Sequence, residues 1–146
     1  MNIFIGADHR GFDLKNKLIE YLHEKNIRIE DLGNYSYDPL DDHPDFSKKV
    51  AQAILQNPQE FLGIVVCGSG IGVTIVANRF KGIRCALGFD KGQIQHGREN
   101  DHINVLGLAA EYISLEKAKE IVDIFITTQP KKEEKYFRRI QKIEDV

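Results

Sequence analysis

Short apolar runs alternate with helical stripes along this chain. Residues 3–5, 27–32, 62–67, 83–89 and 103–108 are brief apolar runs, several rich in β-branched side chains, and they read as short buried strands. Between them apolar residues recur at helical spacing: Leu14, Leu18, Tyr21 and Leu22; Phe46, Val50, Ala53 and Ile54; Ala118, Ile121, Val122 and Phe125. Such alternation predicts an α/β fold with a five-stranded parallel sheet and helices on both faces.

In open sheets of this kind, ligands bind outside the carboxyl ends of the strands, near the point where strand order reverses. The first strand ends in Gly6-Ala-Asp-His-Arg-Gly11 and the third in Cys67-Gly-Ser-Gly70, and the fifth is preceded by Arg98-Glu-Asn-Asp-His-Ile-Asn104. Polar groups are therefore expected to gather at one edge of the sheet.

The third strand carries the most information. Its apolar run stops at Cys67, and Gly68, Gly70 and Gly72 then form a turn that leads through Ile71 into a helical segment. A strand running into a glycine turn and a helix start aims backbone N–H groups and the positive end of the helix at one point, which suits an anion. Beside that field the thiolate of Cys67 is favoured, so the side chain can take a proton. The plainer reading is a tight turn next to a small core residue.

Other polar residues are equally two-sided. Asp8 is a natural helix cap as well as a candidate ligand contact. The turn-rich loop Asn34-Tyr-Ser-Tyr-Asp-Pro-Leu-Asp-Asp-His43 is either a connector or, given its length, the wall of a site. Residues 131–143 read as a helix with Lys135 and Arg139 one turn apart, a solvated face or a phosphate clamp. Tyr136, Phe137, Ile140 and Ile143 give this arm, residues 131–146, apolar contacts to the body or to a second subunit.

Composition narrows the field. With 146 residues, 42% of them hydrophobic, the chain suits one domain over 1–146 with a full core. Twenty basic and 22 acidic residues are interspersed to a net charge of -2, which argues against a nucleic-acid surface. The longest apolar runs fall well short of the roughly 20 residues a membrane span needs, and no leader is apparent, so a cytoplasmic protein is expected. Cys67 and Cys85 both fall in buried strands, as reduced thiols do. The five histidines lack the paired spacing of a zinc site, so no metal is expected.

Several segments together carry a resemblance. Residues 6–15 (Gly-Ala-Asp-His-Arg-Gly-Phe-Asp-Leu-Lys), 42–45 (Asp-His-Pro-Asp), 63–72 (Gly-Ile-Val-Val-Cys-Gly-Ser-Gly-Ile-Gly), 104–106 (Asn-Val-Leu) and 138–140 (Arg-Arg-Ile) match one family in order and spacing. The chain resembles the type B ribose 5-phosphate isomerases, a family that also contains the galactose 6-phosphate isomerase subunits. The resemblance implies a Rossmann-like three-layer sandwich, a dimer or tetramer with sites shared between subunits, and no cofactor. It implies aldose–ketose isomerisation of a phosphosugar through a cis-enediolate. Cys67 is then the base, the turn from Gly68 to Gly72 the enediolate cradle, and Ser69 a hydroxyl near the reacting carbons. Asp8 falls on sugar hydroxyls, His9 toward the phosphate, and Arg139 on a phosphate-binding position.

The departures from the family concern two functions. Asn100 stands where relatives carry the histidine assigned to sugar-ring opening, leaving His102 and His43 as candidate acids. Glu111 and Lys135 stand where many relatives have phosphate arginines; a carboxylate repels a dianion, and lysine lacks the bidentate fork. The expected substrate is ribose 5-phosphate. The alternatives are a hexose 6-phosphate, an unphosphorylated sugar, or a non-catalytic sugar-phosphate-binding subunit.

Overall fold

A computed structural model describes residues 2–146. The strands are β1 (Ile3–Ala7), β2 (Ile29–Asp31), β3 (Leu62–Cys67), β4 (Cys85–Leu87) and β5 (Val105–Ala109). The helices are α1 (Phe12–Glu24), α2 (His43–Ile54), α3 (Ile71–Ala77), α4 (Lys91–His96), α5 (Leu115–Thr127) and α6 (Glu134–Glu144), with a π-helical turn at Gly97–Asp101. The strands form one parallel sheet in the order β2-β1-β3-β5-β4.

Every residue of β1, β3 and β5 is buried, because helices cover both faces of a parallel sheet. On one face Leu18 and Leu22 of α1, Ile94 of α4 and Ile121 and Phe125 of α5 pack with Ile5, Ile64 and Leu106. On the other, Val50 and Ile54 of α2 and Val73 and Ala77 of α3 pack with Phe4, Val65 and Val105. Each fully buried leucine or isoleucine contributes about 2 kcal/mol relative to exposure, which is what fixes the rotation of each helix.

The chain leaves β1 through α1 to the outer strand β2, then returns past β1 through α2 to β3. Strand order therefore reverses between β1 and β3, and the crevice opens where Asp8 follows β1 and Cys67 ends β3. Lys15, fully buried in α1, ties this region together: its ammonium donates to Asp31 Oδ2 at 2.5 Å and to the Asn34 carbonyl at 2.8 Å.

Three features depart from expectation. The outer strand β4 has only three residues, paired with Val105 to Gly107 of β5, and on its outer side Asn78 Oδ1 accepts from Cys85 N–H and Asn78 Nδ2 donates to the Cys85 carbonyl, both at 2.8 Å. The helix α4 and the π turn lack an apolar stripe legible in the sequence; their buried members are Ile94 and Arg98. Finally, polar groups do not gather at one edge. In a parallel sheet the residues preceding a strand lie at its amino end, so Arg98 to Asn104 sit across the sheet from Cys67.

The cysteines illustrate this polarity. Cys67 lies opposite Ala109 and Cys85 opposite Val105, at the two ends of β5, and both are free. Burial pushes the Cys85 thiol up to about 12, so it stays protonated and inert.

Candidate active site

The thiol of Cys67 is 5% exposed and accepts the Gly70 N–H at 3.1 Å. This contact exists because Gly70 adopts φ of 71°, a left-handed conformation that glycine enters without strain. A Cβ at Gly70 would also meet the Leu87 side chain and the Leu108 backbone. The Gly70 carbonyl accepts the Thr74 hydroxyl at 2.7 Å, and Ser69 Oγ accepts the Ile71 N–H at 3.3 Å. Two of the turn's N–H groups thus serve the turn's own thiol and hydroxyl.

His43, the first residue of α2, lies against Gly72: a Cβ there would be 2.6 Å from the imidazole Cε1. Its buried Nδ1 has no hydrogen-bond partner among the described residues. A side chain larger than hydrogen at position 72 would therefore displace this histidine from the turn.

At the end of β1, Asp8 is buried and its Oδ1 accepts the Gly11 N–H at 3.0 Å, which closes the turn before α1; Asp8 is not the cap of that helix, whose N-cap position is Gly11. His9 faces the loop instead. Its Nδ1 donates to Asp41 Oδ1 at 2.7 Å, and the same oxygen accepts the His9 backbone N–H at 2.8 Å. The hydrogen bond to the Asp41 carboxylate raises the His9 pKa above its ordinary value. Asn34 holds Asp41 from the other side, and the Tyr37 ring stands edge-on to His9 and Phe12, so the loop forms a wall over β1.

Asp8, His9 and Asp41 offer ligand atoms within 4.8 Å of one another. They are the residues here that could approach a cation, and hydrogen bonds already tie Asp8 to Gly11 and His9 to Asp41.

Asn100, His102, Lys135 and Arg139 form a second group at the amino edge. His102 Nε2 donates to the Lys131 carbonyl at 2.9 Å, its ring meets Phe137 edge-on, and Lys131 Nζ donates to Asn100 Oδ1 at 3.3 Å. Burial lowers the His102 pKa, with the Lys131 carbonyl opposing it. Lys135 pairs with Glu133 at 3.3 Å, and both Lys135 and Arg139 lie over the Tyr136 ring. Of the apolar residues expected to seat α6, Tyr136 is buried, while Phe137 and Ile143 remain about half exposed. β5 separates this group from Cys67 by roughly 15 Å at the usual rise per residue.

Two contacts have no signature in the sequence. One is the grip of Asp41 on His9 across 32 positions. The other joins Arg10 to Glu111 across 101 positions: Nε donates to Oε1 at 2.6 Å and a terminal guanidinium nitrogen donates to Oε2. Beside the glycine turn, Ser69, Ile71, Leu87, Phe89 and Tyr112 line a hollow of about 520 Å³. Ile71, Phe89 and Tyr112 are 54%, 63% and 77% exposed, a patch of apolar surface at the rim of the site. No helix among the described residues is long and apolar enough to cross a membrane.

The sequence profile of the Ribose/Galactose Isomerase family matches residues 3–143. The probable ribose-5-phosphate isomerase B of Mycoplasma pneumoniae is 40% identical over 127 residues, covering 87% of this chain and 83% of that one. D-erythrulose-4-phosphate isomerase of Pectobacterium atrosepticum is 38% identical over 132 residues, covering 88% and 84%. The crystal structure of ribose-5-phosphate isomerase B from Mycoplasma genitalium with bound ribulose-5-phosphate superposes with a TM-score of 0.94 at 37% identity, covering 99% of this chain and 94% of that one.

Proposed function

The chain belongs to the ribose/galactose isomerase family, and we propose that it interconverts ribose 5-phosphate and ribulose 5-phosphate with Cys67 as the proton-transferring base. It is an aldose–ketose isomerase. The observation that carries the assignment of the base is the thiol at the carboxyl end of β3, in the crevice where strand order reverses, hydrogen-bonded by Gly70 N–H.

The Cys67 thiolate removes the proton from C2 of the open-chain aldose. The C2–H bond becomes the S–H bond, its electron pair forms the C1–C2 double bond, and the C1 carbonyl becomes an enediolate oxygen. N–H groups of the turn from Gly68 to Gly72, other than those of Gly70 and Ile71 that serve Cys67 and Ser69, face that charge, as in an oxyanion hole. Ser69 passes the O2 proton to O1, the thiol returns its proton to C1, and C2 becomes the carbonyl. Asp8 and His43 hold sugar hydroxyls, and His9, whose protonated form the Asp41 carboxylate favours, faces the phosphate. Every step uses this chain's own side chains and needs no cofactor.

His102, Asn100, Lys135 and Arg139 complete the site from a second copy of the chain. The support is geometric: they cannot reach Cys67 around β5, yet Ile71, Phe89 and Tyr112 leave an apolar rim beside it, and the arm 131–146 has uncovered apolar residues to set there. In that arrangement His102 opens the sugar ring, and Lys135 and Arg139 hold the phosphate from the far side.

A second reading has its own observation. Asn100 replaces the histidine assigned to ring opening, and a tetrose 4-phosphate, whose O4 is esterified, cannot close a furanose ring and needs no such acid. The relative named for D-erythrulose 4-phosphate makes this substrate class concrete.

The test is deuterium incorporation at C1 and C2 in D₂O, read by mass spectrometry over tetrose 4-phosphates, pentose 5-phosphates, hexose 6-phosphates and free sugars. Exchange with ribose 5-phosphate supports the first reading. Exchange confined to tetrose phosphates selects the second, and no exchange with any sugar overturns both.

A further inference from the structure

The carboxyl edge of the sheet is poor in positive charge for a site that receives a dianion. Asp8, Asp41 and Glu111 all stand there, and His9 is positive only while protonated. Of the permanently charged groups here, Lys15 is fully buried on Asp31 and Asn34 and Lys117 lines the hollow beside Ser69, whereas Arg10 stands against the glycine turn. A Cβ built on Gly68, the residue after Cys67, would lie 2.7 Å from Arg10 Nε and 3.0 Å from Glu111 Oε1. The guanidinium–carboxylate pair therefore lies flat against the first residue of the glycine turn, one residue from the thiol and directly after His9.

The pair does not exhaust Arg10. A guanidinium carries five N–H donors, and Glu111 takes one from Nε and one from a terminal nitrogen. Three donors remain, one on the terminal nitrogen that also serves Glu111 and two on the other, on a side chain that is still 54% exposed. Glu111 thus fixes the plane of the fork before any ligand arrives, so little side-chain freedom is lost when a tetrahedral anion docks on the free edge. As a purely structural contact the pair would contribute little, because exposed ion pairs are screened by solvent.

We infer that Arg10, oriented by Glu111, binds the phosphate end of the substrate beside His9 and makes this site select phosphorylated over free sugars. The inference rests on the isomerase reading above and names a residue that reading leaves out. It also turns Glu111 from a repulsive neighbour of the phosphate into the anchor of its cation.

The experiment measures kcat and KM for ribose 5-phosphate, and the inhibition constant of inorganic phosphate, in the parent protein and in Arg10→Gln, Arg10→Lys and Glu111→Gln. Arg10→Gln is expected to raise both KM and the phosphate constant about tenfold or more while kcat stays within about threefold, the loss of a charge-assisted hydrogen-bonded contact. Arg10→Lys recovers part of the loss, and Glu111→Gln, which keeps the cation but loosens it, costs less than Arg10→Gln. Values for Arg10→Gln within about twofold of the parent overturn the inference, as does a fall in kcat with KM unchanged. If the parent turns over no pentose phosphate, the ribose 5-phosphate reading has failed. Calorimetric binding of inorganic phosphate then decides the role of Arg10: a loss in Arg10→Gln upholds phosphate binding, and equal binding refutes it.

Discussion

Gly70 donates its backbone N–H to the Cys67 sulfur at 3.1 Å, so the proposed proton acceptor is positioned by the same turn that is proposed to face the enediolate. Replacing Cys67 by Ala removes the proton acceptor but little volume. The variant is expected to fold, with a stability loss of about 1 kcal/mol, and to lose roughly 10²- to 10⁴-fold in kcat, the span typical of general-base catalysis. Steady-state kinetics and a thermal melt on the same preparation check both halves. Near-parental turnover would remove Cys67 from the mechanism.

Asp41 sets the protonation of His9. Because the folded pKa of His9 is raised, the stabilising contact is fully present below the unfolded value of about 6.5 and fades as pH rises through the raised value. Substrate affinity is expected to fall over that same rise, since His9 then loses its charge toward the phosphate. In Asp41→Asn the fall shifts to lower pH. A pH series of KM shows it, and an unshifted profile would mean that His9 does not face the phosphate.

His102 has the opposite sign. Its folded pKa is lowered, chiefly by burial, so the fold holds the neutral ring, and its contribution is present above about 6.5 and lost as pH falls through the lowered value. The melting temperature of the parent is expected to drop over that window more steeply than that of His102→Ala. Parallel curves would show that His102 is not the titrating group.

Gly70→Ala puts a Cβ at a φ of 71° and into the Leu87 side chain and Leu108 backbone. A loss of about 3 kcal/mol in denaturant unfolding is expected, together with loss of activity as the turn moves off the thiol. A fully stable, active variant would contradict the turn geometry.

Mixing two inactive variants tests whether the site is shared. If copies pair, Cys67→Ala and His102→Ala dimers unfolded together and refolded give about half mixed dimers with one intact site each, or about a quarter of parental activity. No recovery would place both residues' function within single chains.

The five strands, the apolar faces of the longer helices and the clustering of Asp8, His9, Cys67 and the glycine turn were all legible in the sequence. Each depends on local periodicity or on the residues directly after a strand. The position of Asn100 and His102 was misread because their nearness to β5 in sequence does not say at which end of the sheet they lie. The π turn that carries Asn100 and ends just before His102 has no apolar stripe to announce it. Asp41 with His9 and Arg10 with Glu111 were hidden for a different reason: their partners meet only after the loop and the ends of β1 and β5 have been brought together by the core.

Asn78 clasps both the N–H and the carbonyl of Cys85 with one side-chain amide. Those are backbone groups that a further strand would pair with on the outer side of β4. At this margin the sheet is sealed against growth: it resists edge-to-edge aggregation there, and copies of the chain that associate on this side must do so through helices and side chains instead of by extending a common sheet.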